Sequence, residues 1–230
     1  MVALVQFALV VVEIMEVTWK ARPVRMTFVI TLGSMTRADK DKPVVLSRIY
    51  TRTGDDGTTN LSDMSRAAKT DTRLAAYADV EEANACLGLA LSHGTLPADL
   101  VAVLVRIQNE LFDVGADLAT PVVDDPEFPP LRVEQSYIDR LEEQCDRLNA
   151  ELKPLRSFIL PGGDPATAAL HLARVTVRRA ERTTWAALQT YDDVNPLTAK
   201  YLNRLSDLLF IACRVAHGGN EILWKPGATR

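Results

Sequence analysis

The chain has 230 residues, 47% of them hydrophobic and 24% charged, with a formal net charge of −4. That length buries a substantial core in one domain, and the composition is that of an ordinary globular protein. The mildly acidic balance excludes a sequence-independent grip on nucleic acid as the main role.

The first twelve residues are apolar but short for a membrane span, and Glu13 and Glu16 interrupt the run. No basic residues precede it and no clear small-residue cleavage site follows, so neither a signal peptide nor a membrane anchor is expected. Pro23, Gly33 and the charged run at 37–42 complete a segment, 1–47, that reads as a poorly ordered extension. An overlong start is one origin for it, and a genuine peripheral segment is the alternative.

Tyr50-Thr51-Arg52-Thr53-Gly54-Asp55-Asp56-Gly57-Thr58-Thr59-Asn60 follows. Its glycines let backbone N–H groups approach phosphate oxygens, and its hydroxyls can donate to the same oxygens or contact magnesium. A turn-rich surface loop is the plainer reading. It is not a Walker loop, since no Gly-Lys-Ser/Thr follows it. Lys69 is either an exposed cap residue or a phosphate contact.

Five helical patterns come next. The first is expected over 72–92, with Asp71 as cap and Leu74, Tyr77, Val80, Leu87 and Leu91 facing inward. The second, 98–119, carries the seam Leu100, Leu104, Ile107, Leu111, Val114 and Leu118, ended by Pro121. The third is expected over 133–152 on Ile138, Leu141, Cys145 and Leu148. Asp164-Pro165 and Asn195-Pro196 each place a capping side chain before a proline suited to the first helical turn. They open the fourth helix, to about residue 189, and the fifth, to about 216, where Gly218-Gly219 stops it. On the fifth, Asn203, Asp207 and Arg214 form a polar line. Strand signals are almost absent, so the fold class is all-α, an antiparallel five-helix bundle, and neither a Rossmann nor a P-loop fold. Cys86, Cys145 and Cys213 have no ligand spacing and read as reduced, buried, cytosolic cysteines. His93, His171 and His217 show no metal spacing, and His171 reads as structural.

The fourth helix carries Arg174, Arg178, Arg179, Glu181 and Arg182 beside an apolar stripe of Leu170, Ala173, Val177, Ala180, Thr184, Ala187 and Leu188. Arg174, Arg178 and Glu181 share one narrow face. Clustered arginines repel unless an anion lies between them, and a polyphosphate suits them. The competing reading is a solvated face paired with acids on neighbouring helices.

Three ordered blocks together resemble the PduO-type ATP:cob(I)alamin adenosyltransferases over about 48–216. They are Tyr50 to Thr59; Lys69-Thr-Asp-Thr-Arg73 with Ala76-Tyr77-Ala-Asp79-Val-Glu81-Glu82-Ala-Asn84; and Phe158-Ile-Leu-Pro-Gly-Gly163 with Arg174 to Arg182 and Tyr201 to Asp207. The resemblance implies a ferritin-like bundle domain at 48–217, a tail at 218–230, and a homotrimer with active sites between adjacent subunits. It implies transfer of the 5′-deoxyadenosyl group of ATP to cob(I)alamin, giving adenosylcobalamin and triphosphate. Thr51, Arg52, Thr53, Gly54, Asp55, Thr59, Asn60 and Lys69 would wrap the triphosphate, and Arg178, Arg179, Glu181, Arg182 and Asn203 would complete the ATP site. Arg174 would pair with Glu81 across the interface. Phe158 would face the corrin and favour four-coordinate cobalt(II). Arg178, Glu181, Arg174 and Phe158 are thus the residues expected to matter most for turnover. Magnesium would ride on the ATP phosphates, with no direct protein ligand.

The resemblance also implies a cytoplasmic protein served by a flavoprotein reductase and supplying an adenosylcobalamin-dependent enzyme. A carrier or sensor that binds ATP or cobalamin without chemistry is the alternative. Glu81 stands where the family often has Asp, Arg52 where it has Lys, and Ala78 where it has Gly.

Overall fold

A computed structural model describes residues 50, 52–126 and 128–228, and the backbone of 17–19 and 22–24. The chain divides into two units, residues 1–51 and 52–230. In the first, the described part is an antiparallel pair, β1 (Val17–Trp19) and β2 (Arg22–Val24), with Val17 opposite Val24.

The second unit opens with a short hairpin, β3 (Thr58–Asn60) and β4 (Arg66–Ala68), and continues as five helices. They are α1 (Thr72–Ser92), α2 (Ala98–Leu118), α3 (Gln135–Asn149), α4 (Pro165–Thr190) and α5 (Pro196–Ala216). The fold is a mostly helical five-helix bundle. The strands correct the expectation of almost none: at three residues each they are too short for an alternating pattern to register. The third helix is shorter than expected at both ends; at its start, Val133 N–H is taken by the Asp117 carboxylate at 2.7 Å, ahead of the first helical turn.

The caps lie where the sequence placed them. Asp71 accepts from Arg73 N at 2.8 Å, Asp164 from Ala166 N at 2.9 Å, and Asn195 from Leu197 N at 3.0 Å. Asp164 and Asn195 are each followed by proline at the first helical position. α4 packs against both α1 and α5, α2 against α1, and α3 against α5. The expected seams of α1, α2, α4 and α5 merge into one core around Leu87, Leu104, Leu111, Leu170, Val177, Leu205 and Leu208. Small residues in α4 (Ala173, Ala180, Ala187) let the flanking helices approach closely.

Buried polar side chains fasten the helix ends. Asp117, 1% exposed, accepts from Arg132, Val133 N and the Asn195 amide. Arg73, 2% exposed, donates to Leu118 O and Asp193 and stacks over Tyr191. These ties hold the end of α2, the start of α1 and the α4–α5 turn together, beside the hairpin. The three cysteines are free, but only Cys213 is fully buried, and Cys86 and Cys145 are half-buried. No helix among the described residues is long and apolar enough to cross a membrane.

Candidate functional site

The hairpin organises the glycine-rich loop. Asp56 accepts from both the backbone N–H and the hydroxyl of Thr58, at 3.0 and 2.7 Å, and Gly57 N donates back to Gly54 O at 3.2 Å. Gly57 has φ +81, which a β-branched residue would strain to adopt. Lys69 N donates to Gly57 O at 2.9 Å. A Cβ at Gly54 would meet Lys69 Nζ at 3.0 Å and Thr58 O at 3.1 Å, so the missing side chain is what lets the ammonium lie in the loop.

Arg66, which the sequence reading did not single out, draws these residues together. It donates to Asn60 Oδ1 and to Thr53 O, each at 3.0 Å, to the Asp56 carboxylate at 3.1 Å, and to the Thr58 hydroxyl. The Thr58 hydroxyl and N–H, backed by Arg66, hold the Asp56 carboxyl below the usual carboxylate range. The signal for Arg66 was its register opposite Asn60, visible only once the hairpin is known. Arg52 (φ +64), Asp55 and Thr59 belong to the same loop, while Thr51 lies outside the described residues.

A second group sits on α4 and α5. Asn203 Nδ2 donates to Glu181 Oε1 at 3.1 Å, joining the two helices at the surface. Arg178 and Arg182, exposed on either side of Glu181, have no ion-pair partner among the described residues. Arg179 differs. It is paired with Asp79 (3.3 Å) and Glu82 of α1, and so acts as a strut between α4 and α1. Thr183 donates to Asp79 at 3.0 Å beside it. The paired-face reading therefore holds for one arginine of the cluster and not for its neighbours.

Arg174 points elsewhere, toward α5, with its guanidinium carbon 6.0 Å from the Phe210 ring centre. Its Nε is buried and has no hydrogen-bond partner among the described residues. His171, one turn earlier, is buried with Nδ1 also unpartnered, and burial, Arg174 and His217 together push its pKa down. Glu81 lies on another face, in a groove of about 600 Å³ between α1 and α2 lined by Tyr77, Asn84, Gln108 and the exposed Phe112. It has no ion-pair partner among the described residues.

Phe158 is 73% exposed and rests against Trp224, ring centres 6.2 Å apart. Its neighbour Ile159 is buried and bridges to Leu223, so part of the expected tail is paired with this segment. Arg214, on the polar line of α5, is 5% exposed and ion-paired with Glu221 at 2.8 Å, a partner the sequence reading did not foresee.

The loop offers N–H groups, hydroxyls and Lys69 to an anion, the α4–α5 face offers Arg178 and Arg182, without an ion pair among the described residues, and Phe158 presents an exposed aromatic face elsewhere.

Comparison with known proteins agrees. The family model for cobalamin adenosyltransferase matches residues 49–216. The corrinoid adenosyltransferase of Mycobacterium bovis is 62% identical over 188 residues, covering 81% of this chain and 97% of that protein. The Bacillus subtilis corrinoid adenosyltransferase is 39% identical over 178 residues, covering 76% of this chain and 89% of that protein. A variant PduO-type ATP:corrinoid adenosyltransferase from Lactobacillus reuteri, solved with cobalamin and ATP, superposes with a TM-score of 0.70. It shares 35% identity over 77% of this chain and 99% of that one. With the family model spanning the whole bundle and relatives matched over nearly their full length, the chain belongs to the cobalamin adenosyltransferase family and is a corrinoid adenosyltransferase.

Proposed function

We propose that the ATP site of this adenosyltransferase is built from two halves, the 52–69 loop of one subunit and the α4–α5 face of the next, in a homotrimer. The observation that supports an anion site on the helix face is Arg178 and Arg182, which have no ion-pair partner among the described residues and flank a carboxylate already engaged by Asn203. Like charges held this close are stabilised by a bound polyanion. Charge-assisted bonds from guanidinium to phosphate contribute about 1.5–3 kcal/mol each, so two supply much of the hold on a triphosphate.

In this reading the cobalt(I) centre of the corrinoid substrate attacks C5′ of ATP, the C5′–O bond breaks, and triphosphate leaves with the bonding electrons. The chain's residues position and neutralise. Thr53, Gly54, Asp55, Thr59 and Lys69 hold the leaving group through N–H, hydroxyl and ammonium contacts, and Asn60 and Arg66 keep the loop in shape. Arg178 and Arg182 offset charge on the departing oxygens. Magnesium, carried by the phosphates, would add to that neutralisation. Glu181 fits a role at its water shell, since one of its oxygens is left over from the bond to Asn203. Phe158 would face the corrin and exclude a lower axial ligand. Arg174 would meet Glu81 of the neighbouring subunit, each being without a salt-bridge partner among the described residues. Arg179 braces α4 against α1 in this scheme.

The reading places the enzyme in the cytoplasm, fed by a flavoprotein reductase and delivering to an adenosylcobalamin-dependent enzyme. An anaerobic reaction of reduced cobalamin with ATP and magnesium, followed by product analysis, tests the chemistry. Adenosylcobalamin with triphosphate in equal amounts is expected. Stoichiometric binding of both substrates without product would instead indicate a carrier.

A further inference from the structure

A ring as exposed as Phe158 is not held by core packing, so its position depends on the backbone around it and on one neighbouring ring. Ile159 turns inward and is buried. Along the outer edge runs the C-terminal segment 221–225. Trp224 N donates to Phe158 O at 2.8 Å, Leu160 N to Ile222 O at 2.8 Å, and the Ser157 hydroxyl to Trp224 O at 2.7 Å. The Trp224 ring leans on Phe158 at an interplanar angle of 50°.

This strap reaches its place after an exposed turn at Gly218 and Gly219, with φ of +62 and +76. Ile222, Leu223 and Trp224 are themselves 69%, 41% and 46% exposed. Its fixed point is Glu221. Arg214 Nε donates to the Glu221 carboxylate at 2.8 Å, and the two side chains are only 7% and 9% exposed. A second nitrogen of Arg214 donates to Lys153 O at 2.7 Å, at the start of the α3–α4 connection that goes on to carry Phe158. One guanidinium therefore ties both strands of the bridge, the strap through Glu221 and the connection through Lys153. The planar fork of arginine serves two acceptors in fixed directions, which a lysine could not do.

We propose that Glu221 and Arg214 are positioning residues for the corrinoid half of the reaction: their buried ion pair pins the strap, and the strap sets the Phe158 ring against Trp224. This rests on Phe158 facing the corrin. None of the strap residues belongs to the proposed ATP site, so the loss of the strap should fall on the corrinoid side alone.

The test uses the full-length enzyme with Glu221→Gln, Arg214→Lys and Phe158→Ala, each with cob(II)alamin and ATP. The readouts are the optical and EPR signature of four-coordinate cobalt(II), separate KM values for the two substrates, and helical circular dichroism. Glu221→Gln should lower the four-coordinate fraction and raise the KM for cobalamin about three- to tenfold, with the KM for ATP and the helical signal unchanged. Arg214→Lys keeps the charge but not both bonds, should show a shift of the same kind at least as large, and decides the matter if Glu221→Gln does not fold. Wild-type behaviour of both while Phe158→Ala loses the four-coordinate species would overturn the strap and leave the corrin-facing role of Phe158 standing. An unchanged Phe158→Ala enzyme would remove that role and the strap with it. A parallel rise in both KM values with loss of helical signal would show general fold support and also overturn the proposal.

Discussion

Arg174→Met separates the fold of one subunit from the assembly of several. Methionine keeps the apolar stem, ending about where Nε lies, but removes the guanidinium. Within one chain the guanidinium carbon lies 6.0 Å from the Phe210 ring centre, while Nε is buried without an acceptor among the described residues. An unsatisfied buried donor costs about 1–3 kcal/mol, and a partly exposed cation–π contact returns about 0.5–1 kcal/mol. The isolated subunit therefore loses nothing by the substitution and gains up to about 2.5 kcal/mol. In the proposed trimer the same group meets Glu81 of the next subunit, and removing one partner of a desolvated pair costs about 3–5 kcal/mol. Leu172 and Val175, each 46% exposed on the same helix, would be covered by that contact. The two effects have opposite signs. Sedimentation over a concentration series should show the variant dissociating at concentrations more than about a hundredfold higher than wild type. Urea unfolding at dilutions where both are dissociated should show a chain at least as stable as wild type. An unchanged sedimentation profile together with a less stable chain would place Arg174 in the subunit's own packing and refute the reasoning.

Other outcomes follow from the same contacts. Arg66→Met should raise the KM for ATP about tenfold by releasing the loop, while the thermal midpoint of the bundle stays put; unaltered ATP kinetics would show that the loop needs no such tie. His171 has a folded pKa below its ordinary 6.5, so the unfolded chain binds the extra proton more readily. Its contribution is intact above about pH 6.5 and is lost as pH falls from there toward the folded value. His171→Gln should flatten that stretch of the stability–pH curve, and a curve of unchanged slope would assign the acid sensitivity to another group. Asp117→Asn should cost about 3–5 kcal/mol in urea unfolding, because it leaves Arg132 without its buried partner and sets an amide nitrogen among donors. A loss below about 1 kcal/mol would mean that the site rearranges to satisfy those donors.

The helices were legible because their start signals are local. Asp71, Asp164-Pro165 and Asn195-Pro196 act within a few residues of themselves, and the apolar periods of α2 and α5 run long enough to count. What escaped the sequence depends on pairing across distance. Arg66 reads as one more surface cation until β3 and β4 place it opposite Asn60. Arg179 and Arg178 are adjacent and chemically identical, and only the packing of α4 on α1 shows that Asp79 and Glu82 claim the first. Arg214 falls on the same helical line as Asn203, yet the chain reverses at Gly218-Gly219 and brings Glu221 back to cover it. Thr51 lies outside the described residues, and the roles of the remaining site residues rest on the proposed assembly.

The two-halves site is tested most directly by complementation. Lys69→Ala disables the loop half and Arg178→Ala the helix half, and each variant alone should lose at least about tenfold in adenosyl transfer. Co-expressed in equal amounts and purified as mixed assemblies, they should recover activity. Random assortment leaves about a quarter of the interfaces with an intact loop from one chain facing an intact helix from the next. Recovery toward that fraction is the predicted result. Mixed assemblies no more active than either parent would contradict it and put both halves of the ATP site in a single subunit.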